Sequence, residues 1–256
     1  MNIINVFVIS IIEGITEFLP ISSTGHMILA SSFLNIANSE FVKTFEIVIQ
    51  LGAILAIAIM YMQRFFKGID IYIKLFVAFV PTAIIGFLAY DFIKAYLFNS
   101  VVVAISLIIG GVILILIDKK VSEKKTRFVD IEKISYKNAF FIGLIQCLAM
   151  IPGTSRAGAT IVGGVVNGFN KKQAMEFSFL LAIPTMFAAA GYDLIKTDIS
   201  FTSNEIWLLT LGLIISFITA WFAVKIFLKL VENYGFKYFG YYRIVLGCIF
   251  LLKTFL

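Results

Sequence analysis

The chain has 256 residues, 61% of them hydrophobic and 14% charged, with a mean hydropathy of +1.00 and a formal net charge of +6. A soluble domain carries about 45–50% apolar and about 25% charged residues, so the excess must face lipid, and a soluble fold is excluded. Strict two-residue alternation is rare, which weighs against an outer-membrane barrel, and the basic surplus reads as loop charge rather than a nucleic-acid footprint.

A spanning helix needs about 20 mostly apolar residues. In chain order, the segment 3–35 comes first, apolar but broken at Pro20. No basic stretch precedes its apolar run and no small-residue cleavage site follows, so it is expected in the mature protein. Spans are expected at roughly 45–62, 75–93 and 100–117, then, after a second broken segment at 139–169, at 175–192, 206–224 and 239–256. That second segment is interrupted by Pro152 and Gly153. Each broken segment predicts two half-helices that dip into the membrane and return, with irregular backbone lining a wet cavity. The fold expected is an all-α polytopic membrane protein with about six transmembrane helices and two re-entrant helix-loop-helix segments. Cys147 and Cys248 lie in apolar stretches without metal-site spacing and read as small core residues. The 27 Phe read mainly as lipid-facing bulk.

Threading the chain this way sorts the basic residues. Sixteen fall on one side: Arg64, Lys67, Lys74, Lys119, Lys120, Lys124, Lys125, Arg127, Lys133, Lys137, Lys171, Lys172, Lys225, Lys229, Lys237 and Arg243. Four fall on the other, Lys43, Lys94, Lys196 and Lys253, and Arg156 is left inside the second broken segment. The asymmetry places the larger group in the cytoplasm and both termini outside. The halves also echo each other at an offset of 132, where Pro20 matches Pro152, Ser23 matches Ser155 and Phe45 matches Phe177. One domain, 1–256, is therefore expected, with pseudo-repeats near 1–117 and 138–256 joined by a basic cytoplasmic loop, 118–137. Three spans per copy is an odd number, so the second copy is expected to be inverted, an architecture that transporters use.

The polar residues concentrate in two strips, EGITEFLPISSTGH (13–26) and PGTSRAGAT (152–160). Glu13 and Glu17 are four apart and share a helix face, so their mutual repulsion asks for a shared proton or a cation. A hard divalent ion, Mg²⁺ or Ca²⁺, suits such oxygen ligands, and Mg²⁺ commonly bridges carboxylate and substrate phosphate. Pro20 stops the first helix, and Ser22, Ser23 and Thr24 stand where the next helix needs its N-cap. Three hydroxyls and His26 exceed what capping requires, and the imidazole suits proton transfer. In the second strip, Thr154 or Ser155 can cap a helix that begins near Arg156. A guanidinium beside helix-terminal N–H groups favours phosphate, although pairing with Glu13 or Glu17 would also satisfy it. Carboxylates, hydroxyls, an imidazole and an Arg at a helix start suit phosphoryl transfer on a substrate that arrives from lipid.

These strips, with KTFEIVIQLGAILA (43–56) and EFSFLLAIP (176–184), resemble the undecaprenyl-diphosphate phosphatases of the BacA type along essentially the whole chain. The resemblance implies hydrolysis of undecaprenyl diphosphate to the monophosphate, which recycles the lipid carrier of peptidoglycan synthesis and so bears on cell-wall biogenesis and cell shape. It implies a bacterial plasma membrane, a divalent cation, and resistance to bacitracin, which binds the same diphosphate. Carried over by position, Glu13 and Glu17 match the essential carboxylates at the metal or acting as base. Ser23 matches the serine proposed as nucleophile, His26 the motif histidine, and Arg156 the phosphate-binding arginine. Ser22, Thr24, Ser155 and Thr160 are the accompanying substrate-side hydroxyls. Ala157 departs from the family motif, PGxSRSxxT, which has serine there. Glu46 and Gln50 fall in the third matching stretch as pocket residues, although Glu46 could equally serve its own helix terminus. Either Ser23 attacks phosphorus or His26 activates a water. The partners implied are the lipid substrate and the bilayer, with no nucleic acid and a homodimer left open. The rival class is a transporter or flippase using the same pocket.

Overall fold

The computed structural model describes residues 1–37, 39–66, 68–97, 99–123, 130–196 and 201–255. Among them the chain is an all-α polytopic membrane protein. Its helices are α1 (Ile3–Thr16), α2 (Ser23–Phe33), α3 (Glu40–Met60), a short α4 (Met62–Phe65), α5 (Asp70–Tyr96) and α6 (Ser100–Glu123). They continue as α7 (Tyr136–Gln146), α8 (Arg156–Val166), α9 (Lys171–Lys196), α10 (Ser203–Tyr234) and α11 (Lys237–Phe255).

Five of the six expected spans, α3, α5, α6, α9 and α10, are long and apolar enough to cross a bilayer. The sixth, α11, has 19 residues but is interrupted by Lys237, Arg243 and Lys253, and it pairs along its length with α6. At 1.5 Å per residue the 14 residues of α1 reach about 21 Å, and the 11 residues of α2, α7 and α8 about 16 Å each. None of these four is long enough alone for a hydrocarbon core about 30 Å thick, and they flank the two breaks.

The element order α1–α2–α3–α5–α6 recurs as α7–α8–α9–α10–α11, and several of the helix pairings recur with it. Helix α1 lies on α10 as α7 lies on α5, α3 crosses α10 as α9 crosses α5, and the pairs α3–α9 and α6–α11 map onto themselves. Close approach depends on a glycine in each copy. A Cβ at Gly14 of α1 would meet the Ser216 carbonyl of α10 at 2.7 Å, and one at Gly143 of α7 would collide with the Ala78 carbonyl of α5.

One end of the bundle is knitted by charge. Arg64 bonds Glu176 at 2.5 Å with Asp130 and Glu132 nearby, Lys171 pairs with Asp118 at 2.6 Å, and Lys74 donates to Asp70 and to the Glu132 carbonyl. Asp118 also accepts from the Phe236 amide at the α10–α11 corner, 2.9 Å. These are segments assigned to the basic side. Lys67, Lys124, Lys125 and Arg127 of that group, and 124–129 of the connecting loop, lie outside the described residues. At the opposite end the starts of α3 and α10 meet through Phe41 and Phe201.

Three expectations need correction. Arg243 is not a loop charge but a buried side chain, 1% exposed, well inside α11. Cys248 is exposed on the bundle surface rather than in the core. The phenylalanines divide: Phe18, Phe45, Phe177, Phe179, Phe227 and Phe236 are wholly buried and build much of the centre.

Candidate active site

Helix α1 ends at Thr16, and the chain turns through 17–21 until Ser22 adopts φ 70°, uncommon for a residue with a side chain. Its Oγ accepts from the Gly25 amide at 3.3 Å and so caps α2. The second break repeats this device. Ser155, φ 73°, caps α8 by accepting from the Gly158 amide at 3.1 Å, and Gly153 takes φ 91° within the turn. Ser22 thus corresponds to Ser155, an offset of 133, because Pro152–Ser155 holds one residue more than Pro20–Ser22. The expected pairing of Ser23 with Ser155 is therefore displaced by one, and Ser23 corresponds instead to Arg156.

Those two residues, each the first of its half-helix, converge on one carboxylate. Ser23 Oγ donates to Glu17 Oε2 in a short hydrogen bond, and Arg156 Nη2 donates to Glu17 Oε1 at 3.1 Å. Glu17 is 7% exposed. Both helices begin at a residue that bonds this carboxylate, and the partial positive charge of a helix N-terminus favours an anion nearby. Arg156 also donates to the Ser178 carbonyl at 3.3 Å, touches Met186 Sδ at 2.9 Å, and stacks over the Phe18 ring at 5.3 Å.

Glu13, one turn before Glu17, is wholly buried, and neither of its oxygens has a hydrogen-bond partner among the described residues. Its charged neighbours are Glu17, Glu46 and Arg156. Arg156 Nε is likewise buried without a partner. Buried polar atoms are normally satisfied, so three orphaned atoms around one carboxylate mark a place built for something polar. Glu46 lies beyond the first turn of α3 and accepts from Ser31 Oγ at 2.5 Å, so its carboxylate does not serve that helix terminus. Gln50, one turn further along α3, is half-buried. Thr24 is half-buried in the first turn of α2.

His26 uses both ring nitrogens elsewhere. Nδ1 lies 2.8 Å from the Ser22 carbonyl, and Nε2 lies 2.7 Å from the Tyr242 hydroxyl, with the two rings nearly parallel. A carbonyl only accepts, so Nδ1 carries a proton and Nε2 is the nitrogen left to exchange one. Ser155 also donates to the Leu19 carbonyl, 3.5 Å. Thr160 is fully buried, with its hydroxyl 2.9 Å from the Arg156 carbonyl and 2.6 Å from Ser178 Oγ, which fixes α8 to α9.

Two residues escaped the sequence reading, Tyr242 and Arg243. The Arg243 guanidinium donates to five carbonyls: Pro20, Gly153 and Thr154 of the two breaks, and Ser106 and Leu107 of α6. The breaks leave carbonyls without helical donors, and this side chain supplies them at 2.9 Å each. The available signal was an ionisable residue inside an apolar run, which is rarely incidental.

The family model described as Bacitracin resistance protein BacA matches residues 6–249. The chain belongs to this family. An undecaprenyl-diphosphatase of Wolinella succinogenes is 50% identical over 251 residues, 98% of both chains. One of Aquifex aeolicus is 51% identical over 95% of both chains, and one of Flavobacterium johnsoniae is 48% identical over all of this chain and 97% of its own.

Proposed function

We propose that this chain is an undecaprenyl-diphosphate phosphatase, which releases inorganic phosphate and leaves the C55 monophosphate for another round of cell-wall synthesis. One observation carries the reading: a hydroxyl and a guanidinium, each from a different half-helix, meet on the two oxygens of Glu17. That constellation is a nucleophile with its base, beside a phosphate-binding cation. The transporter alternative is not favoured, since the relatives carry the phosphatase name.

In the proposed reaction Ser23 Oγ attacks the terminal phosphorus and passes its proton to Glu17. The Oγ–P bond forms as the bridging P–O bond breaks, and the polyprenyl monophosphate leaves with the proton that Glu17 hands to it, which returns Glu17 to its carboxylate form. Water then attacks the phosphoserine, Glu17 takes its proton, and inorganic phosphate departs with the Ser23 hydroxyl restored. Arg156, through its unpartnered Nε and its Nη atoms, neutralises the phosphate oxygens. The route through a His26-activated water asks the imidazole to exchange Tyr242 for that water. The orphaned oxygens of Glu13 and the Glu17 carboxylate offer the hard donors that Mg²⁺ or Ca²⁺ takes. Such an ion would supply further charge neutralisation to the diphosphate.

Purified protein should release phosphate from undecaprenyl diphosphate, lose most of that activity in EDTA, and regain it with Mg²⁺ or Ca²⁺. No release under any condition, alongside lipid movement in vesicles, would favour the transporter.

The membrane proposed is the bacterial plasma membrane, with the pocket open to its extracytoplasmic face and the breaks re-entrant from opposite sides. In support, the start of α1, the end of α2 and the start of α3 share one apolar cluster at the end remote from Arg64, Lys74 and Lys171. A cysteine replacing Thr24 should react with an impermeant thiol reagent in intact cells. Labelling only after permeabilisation overturns the orientation.

A further inference from the structure

A groove of about 600 Å³ runs along the outside of the bundle beside the first break. Ile15, Leu19 and Ile21 form one wall, and Leu230, Phe239 and Tyr242 of α10 and α11 form the other. The volume is in the range of sites that hold small ligands. Its two ends are defined. Tyr242, at one end, is bonded to His26 Nε2, so the groove abuts α2, the helix that begins at Ser23. At the other end lie Tyr234 and Gly235, at the α10–α11 corner that Asp118 pins through the Phe236 amide on the basic side.

We propose that this groove seats the first isoprene units of the substrate's polyprenyl tail, with Tyr242 at the junction of tail and diphosphate. The inference deepens the phosphatase reading and rests on its orientation. A lipid whose diphosphate enters from the outer face has its tail pointing away from that face. The groove extends away from that face, from Tyr242 toward Tyr234, and passes Leu19 and Ile21 of the break that Ser23 follows, so a tail seated in it lies beside the candidate site. The apolar walls suit a branched hydrocarbon. The Tyr242 hydroxyl, polar at one end of an apolar ring, suits a position where tail gives way to phosphate.

The test compares two chain lengths. Leu230→Trp places bulk in the groove beyond the junction, and KM for the C55 diphosphate should rise about tenfold, the scale of losing an isoprene's apolar contact. KM for a C5 diphosphate, whose single isoprene unit ends at the junction, should rise by much less. Ile218→Trp, on α10 beside Phe217 and Trp221, should leave the ratio of the two KM values unchanged. An unchanged C55 KM, or an equal rise for both substrates, overturns the proposal. Photolabelling of the unaltered protein covers the case in which the variant fails to fold. A C55 diphosphate with a diazirine on its third isoprene should label residues within 15–21 or 230–242, the two walls of the groove, and excess unlabelled C55 diphosphate should compete where phosphatidylglycerol does not. Label confined to residues outside those two stretches, or equal competition by phosphatidylglycerol, contradicts the groove. Phosphate release by the unaltered protein is read separately, so failure of the phosphatase reading is distinguishable from failure of the groove.

Discussion

The two breaks share a backbone and differ in chemistry. Each turns the chain inside the bundle, sets a serine at φ near 70°, and caps an 11-residue helix through an amide three residues on. The first is preceded by a helix that carries Glu13, both of whose oxygens lack a partner among the described residues, with Glu17 at its C-cap, and is followed by Ser23 and His26. The second is preceded by a helix without an acidic residue, whose buried Gln146 is satisfied by Thr82 and Thr185, and is followed by Arg156. A satisfied amide stabilises, whereas an unsatisfied carboxylate costs stability and is kept where it does chemistry. The pair teaches that the repeat supplies the frame twice while each copy supplies one half of the site. Its two equivalent first-turn positions, Ser23 and Arg156, place a hydroxyl and a guanidinium on the same carboxylate, Glu17.

The comparison can be broken most forcefully at Arg243, the side chain that binds both breaks at once. Arg243→Met strands five buried carbonyls and should destabilise the protein by about 3 kcal/mol or more, read as a lower melting temperature in detergent. An unchanged melting curve would mean that the breaks hold their shape independently. A smaller effect sharpens it. Ser22→Ala and Ser155→Ala should each cost about 1 kcal/mol, the worth of an N-cap, because the two caps share one geometry. Clearly unequal losses would show that the shared backbone shape hides different local energetics.

Much of this was legible in the sequence, for physical reasons that differ by feature. The long spans follow from lipid solvation of apolar runs, and the breaks from Pro20 and Pro152 together with the polar capping residues after them, since Pro81 and Pro184 sit inside α5 and α9 without ending those helices. The site residues stood out because polar groups at membrane depth are costly. What the sequence concealed depends on contacts distant along the chain. Arg243 looked like a loop charge because hydropathy does not reveal which carbonyls a guanidinium will meet. The offset at the breaks read as 132 from matching residue types, whereas φ at Ser22 and Ser155 sets it at 133. Tyr242 carried no local signal, since its partner His26 lies 216 residues away.

The central claim is that Ser23, activated by Glu17, begins the chemistry. It is tested most directly by quenching a single turnover of undecaprenyl diphosphate labelled in its terminal phosphate and locating the label by peptide mass spectrometry. The account predicts phosphoserine at position 23, and a fall of about a thousandfold or more in kcat for Ser23→Ala. Near-normal turnover by Ser23→Ala, with no label on that peptide, would contradict it.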